Sequence, residues 1–160
     1  MEKKTITVEI LRYNPEVDDK PSFGNFNIPY VEDWSMLDAL EYIKDEQDSS
    51  LAYRWSCRMA VCGSCGMVIN GIPKLGCETF LRDYYPNTIK VEPLAHFPIE
   101  KDLIVDTEEF INKLESVKPY IINAMETTED GVNTQTPKQM GLYKQFSMCI
   151  NCMLCYSACP

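Results

Sequence analysis

The 160-residue sequence predicts an α+β fold in two parts: a small sheet packed on one helix over residues 1–105, then a helical part over residues 106–160. Three observations predict it. Apolar and polar residues alternate in short runs through the first hundred residues, the period of a strand with one buried face. Leu37, Leu40 and Ile43 instead follow helical spacing. The eight cysteines fall into two groups, Cys57, Cys62, Cys65 and Cys77, then Cys149, Cys152, Cys155 and Cys159, which suggests two domains with one site each.

Taken in order, Thr5 to Arg12 sets Ile6, Val8 and Ile10 on one face and Thr5, Thr7 and Glu9 on the other, so it reads as a strand. Phe26 to Val31 is a second strand, which Pro29 pushes toward a sheet edge. Ser35, with Asp38 three residues on, opens a helix in capping-box fashion, and the helix ends near Asp45 to Asp48. Residues 55–66 form a loop dense in Cys and Gly. Gly66 to Ile69 and Ile72 to Leu75 flank Asn70-Gly71, the preferred two-residue hairpin turn. Thr88 to Glu92 is a last strand and Leu94 to Pro98 a connector. Thr107 then caps a helix with Glu108 and Glu109 in its first turn and Phe110, Leu114 and Val117 on its apolar face. Glu126 to Thr136 reads as a polar loop. Thr136-Pro137-Lys138-Gln139 starts another helix, with proline at the first helical position and glutamine three after the cap.

The net charge of −9 makes nucleic acid an unsuitable partner, because phosphate binding needs clustered Lys and Arg. No run approaches the ~20 apolar residues that span a bilayer. Lys3-Lys4-Thr5-Ile6-Thr7-Val8-Glu9 also lacks the continuous apolar stretch of a secretory signal. The expectation is a soluble chain in a reducing compartment, with no membrane span of its own. Cysteines there read as metal or redox ligands rather than as a disulfide framework.

Cys57, Cys62 and Cys65 give C-x4-C-x2-C, and Cys77 supplies a fourth thiol, the spacing of a plant-type 2Fe–2S site. A tight loop delivers three ligands and the hairpin at Asn70-Gly71 returns the fourth. Gly63 and Gly66 would let the backbone approach the cluster, so that N–H groups point at sulfur. Arg54 and Arg58 flank the first ligand and would offset the negative charge of a thiolate-bound cluster. The alternative is a structural zinc site, but zinc favours two C-x2–4-C knuckles, and only Cys62 and Cys65 form one. Residues 1–105 are therefore expected to be a plant-type 2Fe–2S ferredoxin domain, β-grasp-like in layout.

Cys149-x2-Cys152-x2-Cys155-x3-Cys159-Pro160 is the bacterial ferredoxin run, in which three cysteines serve one cluster and the fourth serves another. Cys149, Cys152 and Cys155 would bind a 4Fe–4S cluster whose fourth ligand is not in this chain, since the other four cysteines are committed. Residues 106–160 are then the incomplete start of an α-helical bacterial-type ferredoxin domain. A single cluster held by all four cysteines is the alternative.

Arg54 to Met67, with Cys57, Cys62 and Cys65 inside it, resembles the iron–sulfur subunit of succinate dehydrogenase and fumarate reductase. Pro73-Lys74-Leu75-Gly76-Cys77, Phe97 to Leu103 and Cys149-Ile150-Asn151-Cys152 extend the likeness, and the wording is nearer to the bacterial fumarate reductase branch. The resemblance implies a wire of 2Fe–2S, 4Fe–4S and 3Fe–4S clusters between an FAD-bearing flavoprotein and quinone at membrane anchor subunits. It makes Cys159 a ligand of the 3Fe–4S cluster, whose other ligands lie outside this chain. It also implies a peripheral position on the cytoplasmic side of the inner cell membrane. Such a chain is the electron-transfer subunit of an oxidoreductase and holds no substrate-converting site. His96, the one histidine, has no nucleophile or acid–base partner in the sequence pattern. Two other readings stay open, an electron-transfer subunit of another flavin dehydrogenase and a free two-domain ferredoxin.

Overall fold

The computed structural model describes residues 4–120 and 134–160. Most of the polar loop read at 126–136 lies outside them. The chain divides into two compact units, residues 1–107 together with 151–160, and residues 108–150.

In the first unit, β1 (Thr5–Arg12) pairs antiparallel with β2 (Ser22–Pro29), setting Ile6 opposite Ile28 and Val8 opposite Phe26. The alternation seen in the sequence is the burial pattern: Ile6, Val8 and Ile10 lie in the core. β2 begins four residues before the sequence reading, because Ser22 to Asn25 is a mostly exposed edge segment with no apolar alternation to reveal it. Ser35 caps α1 (Met36–Glu46) in a full capping box: its N–H donates to the Asp38 carboxylate at 2.8 Å, and its hydroxyl oxygen accepts from the Asp38 N–H at 3.4 Å. Met36, Leu37, Ala39, Leu40 and Ile43 form the buried face of that helix.

β3 (Gly66–Ile69) and β4 (Ile72–Leu75) make the expected hairpin, with Asn70 at φ 48° and Gly71 at φ 80°, both left-handed as the turn requires. β5 (Ile89–Glu92) completes a mixed sheet in the order β2-β1-β5-β3-β4, parallel to β1 and antiparallel to β3. The apolar faces of these strands and of α1 share one core, so the α+β expectation stands.

Just past the Leu94 to Pro98 connector, where the sequence announces no element, the chain folds a second, two-stranded sheet, β6 (Ile99–Lys101) and β7 (Ile104–Val105). Between them sits Asp102, 2 % exposed, with its carboxylate fully engaged. Oδ1 accepts from Arg12 Nε and the Tyr13 N–H, both at 3.0 Å, and Oδ2 accepts from the Ala52 N–H at 2.9 Å. A charge is tolerated there because it is paired and hydrogen-bonded. The bonds tie this hairpin to the end of β1 and to the segment leading into the cysteine loop.

In the second unit, α2 (Glu108–Ser116) opens with the two acids expected of its first turn. α3 (Pro137–Ser147) has the predicted capping box, with Thr136 N–H donating to Gln139 Oε1 at 2.8 Å and Thr136 Oγ1 accepting from Gln139 N–H at 3.3 Å. Neither helix buries a residue. Among the described residues no helix is long and apolar enough to cross a membrane.

The sequence reading grouped residues 106–160. In the structure 151–160 belong to the first unit instead. There α4 (Leu154–Ala158), which no sequence signal announced, buries Ser157, whose Oγ accepts from the Ala95 N–H at 2.8 Å. The rings of Phe97 and Tyr156 lie 4.9 Å apart.

Candidate metal centre

The segment between Cys57 and Cys65 is curled by three left-handed residues, Arg58 (φ 57°), Ala60 (φ 56°) and Gly63 (φ 73°). Two of the three carry side chains, so the surroundings must hold the curl. The curl turns backbone donors toward sulfur. Cys57 Sγ accepts from the N–H groups of Met59 and Cys62, both at 3.4 Å, and Cys77 Sγ accepts from the Ala60 N–H at 3.2 Å. Cys77 reaches the loop from the 3-10 turn Gly76–Glu78 just after β4, and the Gly76 N–H donates to the Cys65 carbonyl at 2.9 Å. The sulfurs of Cys57 and Cys77 thus share one short run of N–H donors, Met59, Ala60 and Cys62.

These surroundings split the thiols. Backbone N–H groups of Met59, Val61 and Cys62 stabilise the Cys57 thiolate and hold its pKa down to about 6. Burial pushes Cys65 up to about 11, with the neighbouring Cys77 thiol adding to the rise. Cys65 is 3 % exposed, while Cys62 lies at the surface.

Gly66 has a different use from the one the sequence suggested. A Cβ there would sit 3.0 Å from the Cys152 carbonyl oxygen and 3.2 Å from Leu94 Cδ1. The missing side chain admits the Cys152 backbone beside Gly66. Cys152 and Leu154 pack on the core, whereas Cys155 and Cys159 are exposed. Cys149, also exposed, belongs to the second unit.

The two arginines are not free cations. Arg54 pairs with Glu100 at 3.3 Å, and Arg58 reaches Glu41 at 2.7 Å and Asp38 at 3.4 Å. Each positive charge is met by at least one carboxylate, which reduces the offset that either could give a cluster. Sequence reasoning missed Glu41 and Asp102 as supports of this loop. An acid on an outer helix face and an acid in a short hairpin carry no spacing signal. His96 is exposed, at φ 69°.

Four thiols carried by one loop and the turn after β4, with three N–H groups donating to two of the sulfurs, are a donor set whose chemistry fits an iron–sulfur cluster. The fold and loop therefore define a cysteine-loop redox-metal domain. The chain belongs to the family described as the 2Fe–2S iron–sulfur cluster binding domain, which it matches over residues 7–112. It is 58 % identical to the fumarate reductase iron–sulfur subunit of Escherichia coli O6:H1, across 99 % of this chain and 65 % of that protein. The subunit of the same name from Mycobacterium tuberculosis is 53 % identical, across 97 % of this chain and 63 % of that protein. Its fold is similar to a chain of the Mycobacterium smegmatis Sdh1 complex in the apo form, with a TM-score of 0.81 and 25 % identity, covering 98 % of this chain and 64 % of that one. The chain thus spans about two-thirds or less of the length of each of these relatives.

Proposed function

We propose that this chain is the electron-transfer part of a quinone-linked fumarate reductase or succinate dehydrogenase, carrying electrons between an FAD-bearing flavoprotein and quinone at membrane anchor subunits. The observation that carries the reading is the run of backbone N–H groups, those of Met59, Ala60 and Cys62, that donate to the sulfurs of Cys57 and Cys77 within the four-cysteine set. Cys57, Cys62, Cys65 and Cys77 would together hold a 2Fe–2S cluster. When bound, that cluster supplies one-electron transfer. The chain's own part is to supply thiolates, to aim Met59, Ala60 and Cys62 N–H groups at sulfur, and to bury Cys65 away from water. Cys149, Cys152 and Cys155 would serve a 4Fe–4S cluster and Cys159 a 3Fe–4S cluster, in a helical ferredoxin-type region over 106–160. The relatives' names, each an iron–sulfur subunit of fumarate reductase, support partner subunits, and the proposal adds a peripheral place on the cytoplasmic side of the membrane through those partners.

The test is anaerobic purification followed by metal analysis, visible spectroscopy and EPR of the reduced protein. A brown protein with a rhombic 2Fe–2S signal, co-purifying with a flavoprotein when expressed with its neighbours, is the expected result. About one zinc per chain with no iron would overturn the reading, since a four-cysteine site is zinc's other common use.

A further inference from the structure

Cys57 is followed at once by a residue in a strained conformation, and that residue is the one whose side chain leaves the loop for α1. Arg58 (φ 57°) lays its guanidinium over the Trp55 ring, 4.4 Å from the centroid. Nη2 donates to Glu41 Oε1 at 2.7 Å and Nη1 to Asp38 Oδ1 at 3.4 Å. The other Asp38 oxygen is the capping acceptor for Ser35, so the contact reaches the first turns of the helix, whose inner face is fixed in the core. We propose that Arg58 is a positioning residue: it straps the cysteine loop to α1 through Glu41 and Asp38, and so maintains the curl that aims the Met59, Ala60 and Cys62 N–H groups at sulfur.

The physical case rests on geometry rather than on charge near the thiols. A left-handed non-glycine residue relaxes unless its surroundings hold it. Arg58 is held on three sides, by a ring face and by two carboxylates on one helix. The planar fork suits this arrangement and a lysine ammonium does not, since a single tetrahedral nitrogen cannot lie flat on the ring while two separate nitrogens reach the two carboxylates. The rival role, a cation that draws electrons toward the cluster, is weakened because Glu41 and Asp38 already meet the charge. The proposal rests on the 2Fe–2S reading above, and the two roles predict different signs. For a strap, Arg58→Lys and Glu41→Gln fail in the same direction. For a bare cation, Arg58→Lys changes nothing, while Glu41→Gln and Arg58→Gln move the reduction potential in opposite directions.

The experiment uses the 160-residue chain loaded with its cluster under anaerobic conditions. It follows the loss of visible absorption to an excess of iron chelator. Arg58→Lys and Glu41→Gln should each lose the cluster roughly fivefold faster than the unaltered chain, the size expected from one stacked and partly exposed ion-pair network. The charge-exchanged pair Arg58→Glu with Glu41→Arg should recover part of that loss. Loss rates equal to the unaltered chain in both single variants would overturn the strap, as would an inert Arg58→Lys beside opposite potential shifts in the glutamine variants. A second readout does not need the cluster. In the metal-free chain, amide exchange at Met59, Ala60 and Cys62 should be roughly fivefold faster in Arg58→Lys, and unchanged exchange would overturn the strap. If the unaltered chain takes up no 2Fe–2S cluster, the cluster reading fails by itself, and the amide exchange alone decides on the strap.

Discussion

The two cysteine groups share a chemistry and differ in what supports them. Cys57, Cys62, Cys65 and Cys77 are attached to a finished core: α1 and the five-stranded sheet bury their apolar faces together, and Cys65 itself belongs to that core. In the second unit α2 and α3 bury no residue, and Leu142 and Phe146 stand exposed on α3 at 78 % and 80 %. Of the second run, Cys152 alone packs on the first unit's core, beside Gly66. Ligand spacing in a sequence therefore says which thiols act together but not what organises them. Where a core is present, the loop is set before a ligand arrives. Where burial is slight, ligand binding supplies a larger share of the ordering free energy.

The largest expected effect tests that independence. Replacing Cys149, Cys152, Cys155 and Cys159 together by Ser should leave the 2Fe–2S spectrum and about two irons per chain, since the first group holds four ligands for a two-iron cluster. Cys77→Ser alone should abolish that spectrum. Iron analysis and visible absorption of the two proteins decide the matter. Loss of the 2Fe–2S signal in the fourfold variant would mean that the first loop depends on the second run.

The next effect concerns the core side of the comparison. Asp102→Asn keeps the shape but removes a buried charge that faces Arg12 and two backbone N–H groups. It should lower the stability of the first unit by about 2–3 kcal/mol, the range for breaking a buried, hydrogen-bonded ion pair. Urea unfolding followed by tryptophan fluorescence reads that unit, because Trp34 and Trp55, the two tryptophans of the chain, both lie in it. A change under half a kilocalorie would mean that the hairpin of β6 and β7 is held by its apolar residues instead.

Much of this was legible beforehand. β1, α1 and the hairpin of β3 and β4 follow from residues whose local preference and burial agree: alternating Ile6, Val8 and Ile10, the Ser35 and Asp38 cap, and Asn70-Gly71. The first half of β2, the β6 and β7 hairpin and α4 were not legible. Each is short, and each is stabilised by a partner distant in sequence: β1 for β2, Arg12 and Ala52 for Asp102, Ala95 for Ser157. The cysteines of the candidate site were found by spacing. The N–H groups aimed at Cys57 and Cys77 were not, because they depend on the curl at Arg58 and Ala60. The carboxylates opposite Arg54 and Arg58 were not legible either, because a sequence shows a cation without showing the acid that meets it.

The smallest effect is the acid limb of the first unit. The Asp48 carboxyl is held down from 3.8 to about 2, first by the Ser50 hydroxyl and next by the Arg12 guanidinium. A depressed folded-state pKa contributes stability that is complete above the unfolded value near 4 and is lost as pH falls toward 2. Arg12 stays charged throughout, so the loss follows protonation of Asp48 alone in this pair. Asp48→Asn should therefore cost about 1 kcal/mol at pH 7, discounted because the carboxylate is partly solvent-exposed. The same substitution should cost progressively less between pH 4 and pH 2, where the unaltered chain has lost the same contribution. Urea midpoints by tryptophan fluorescence at pH 7, 4 and 2.5 give three differences, and these should shrink in that order. A difference that stays constant with pH would show that Asp48 acts through shape and neutral hydrogen bonding to Ser50. The junction of β1 with the segment leading into the cysteine loop would then depend on the buried Asp102 for its charge pairing.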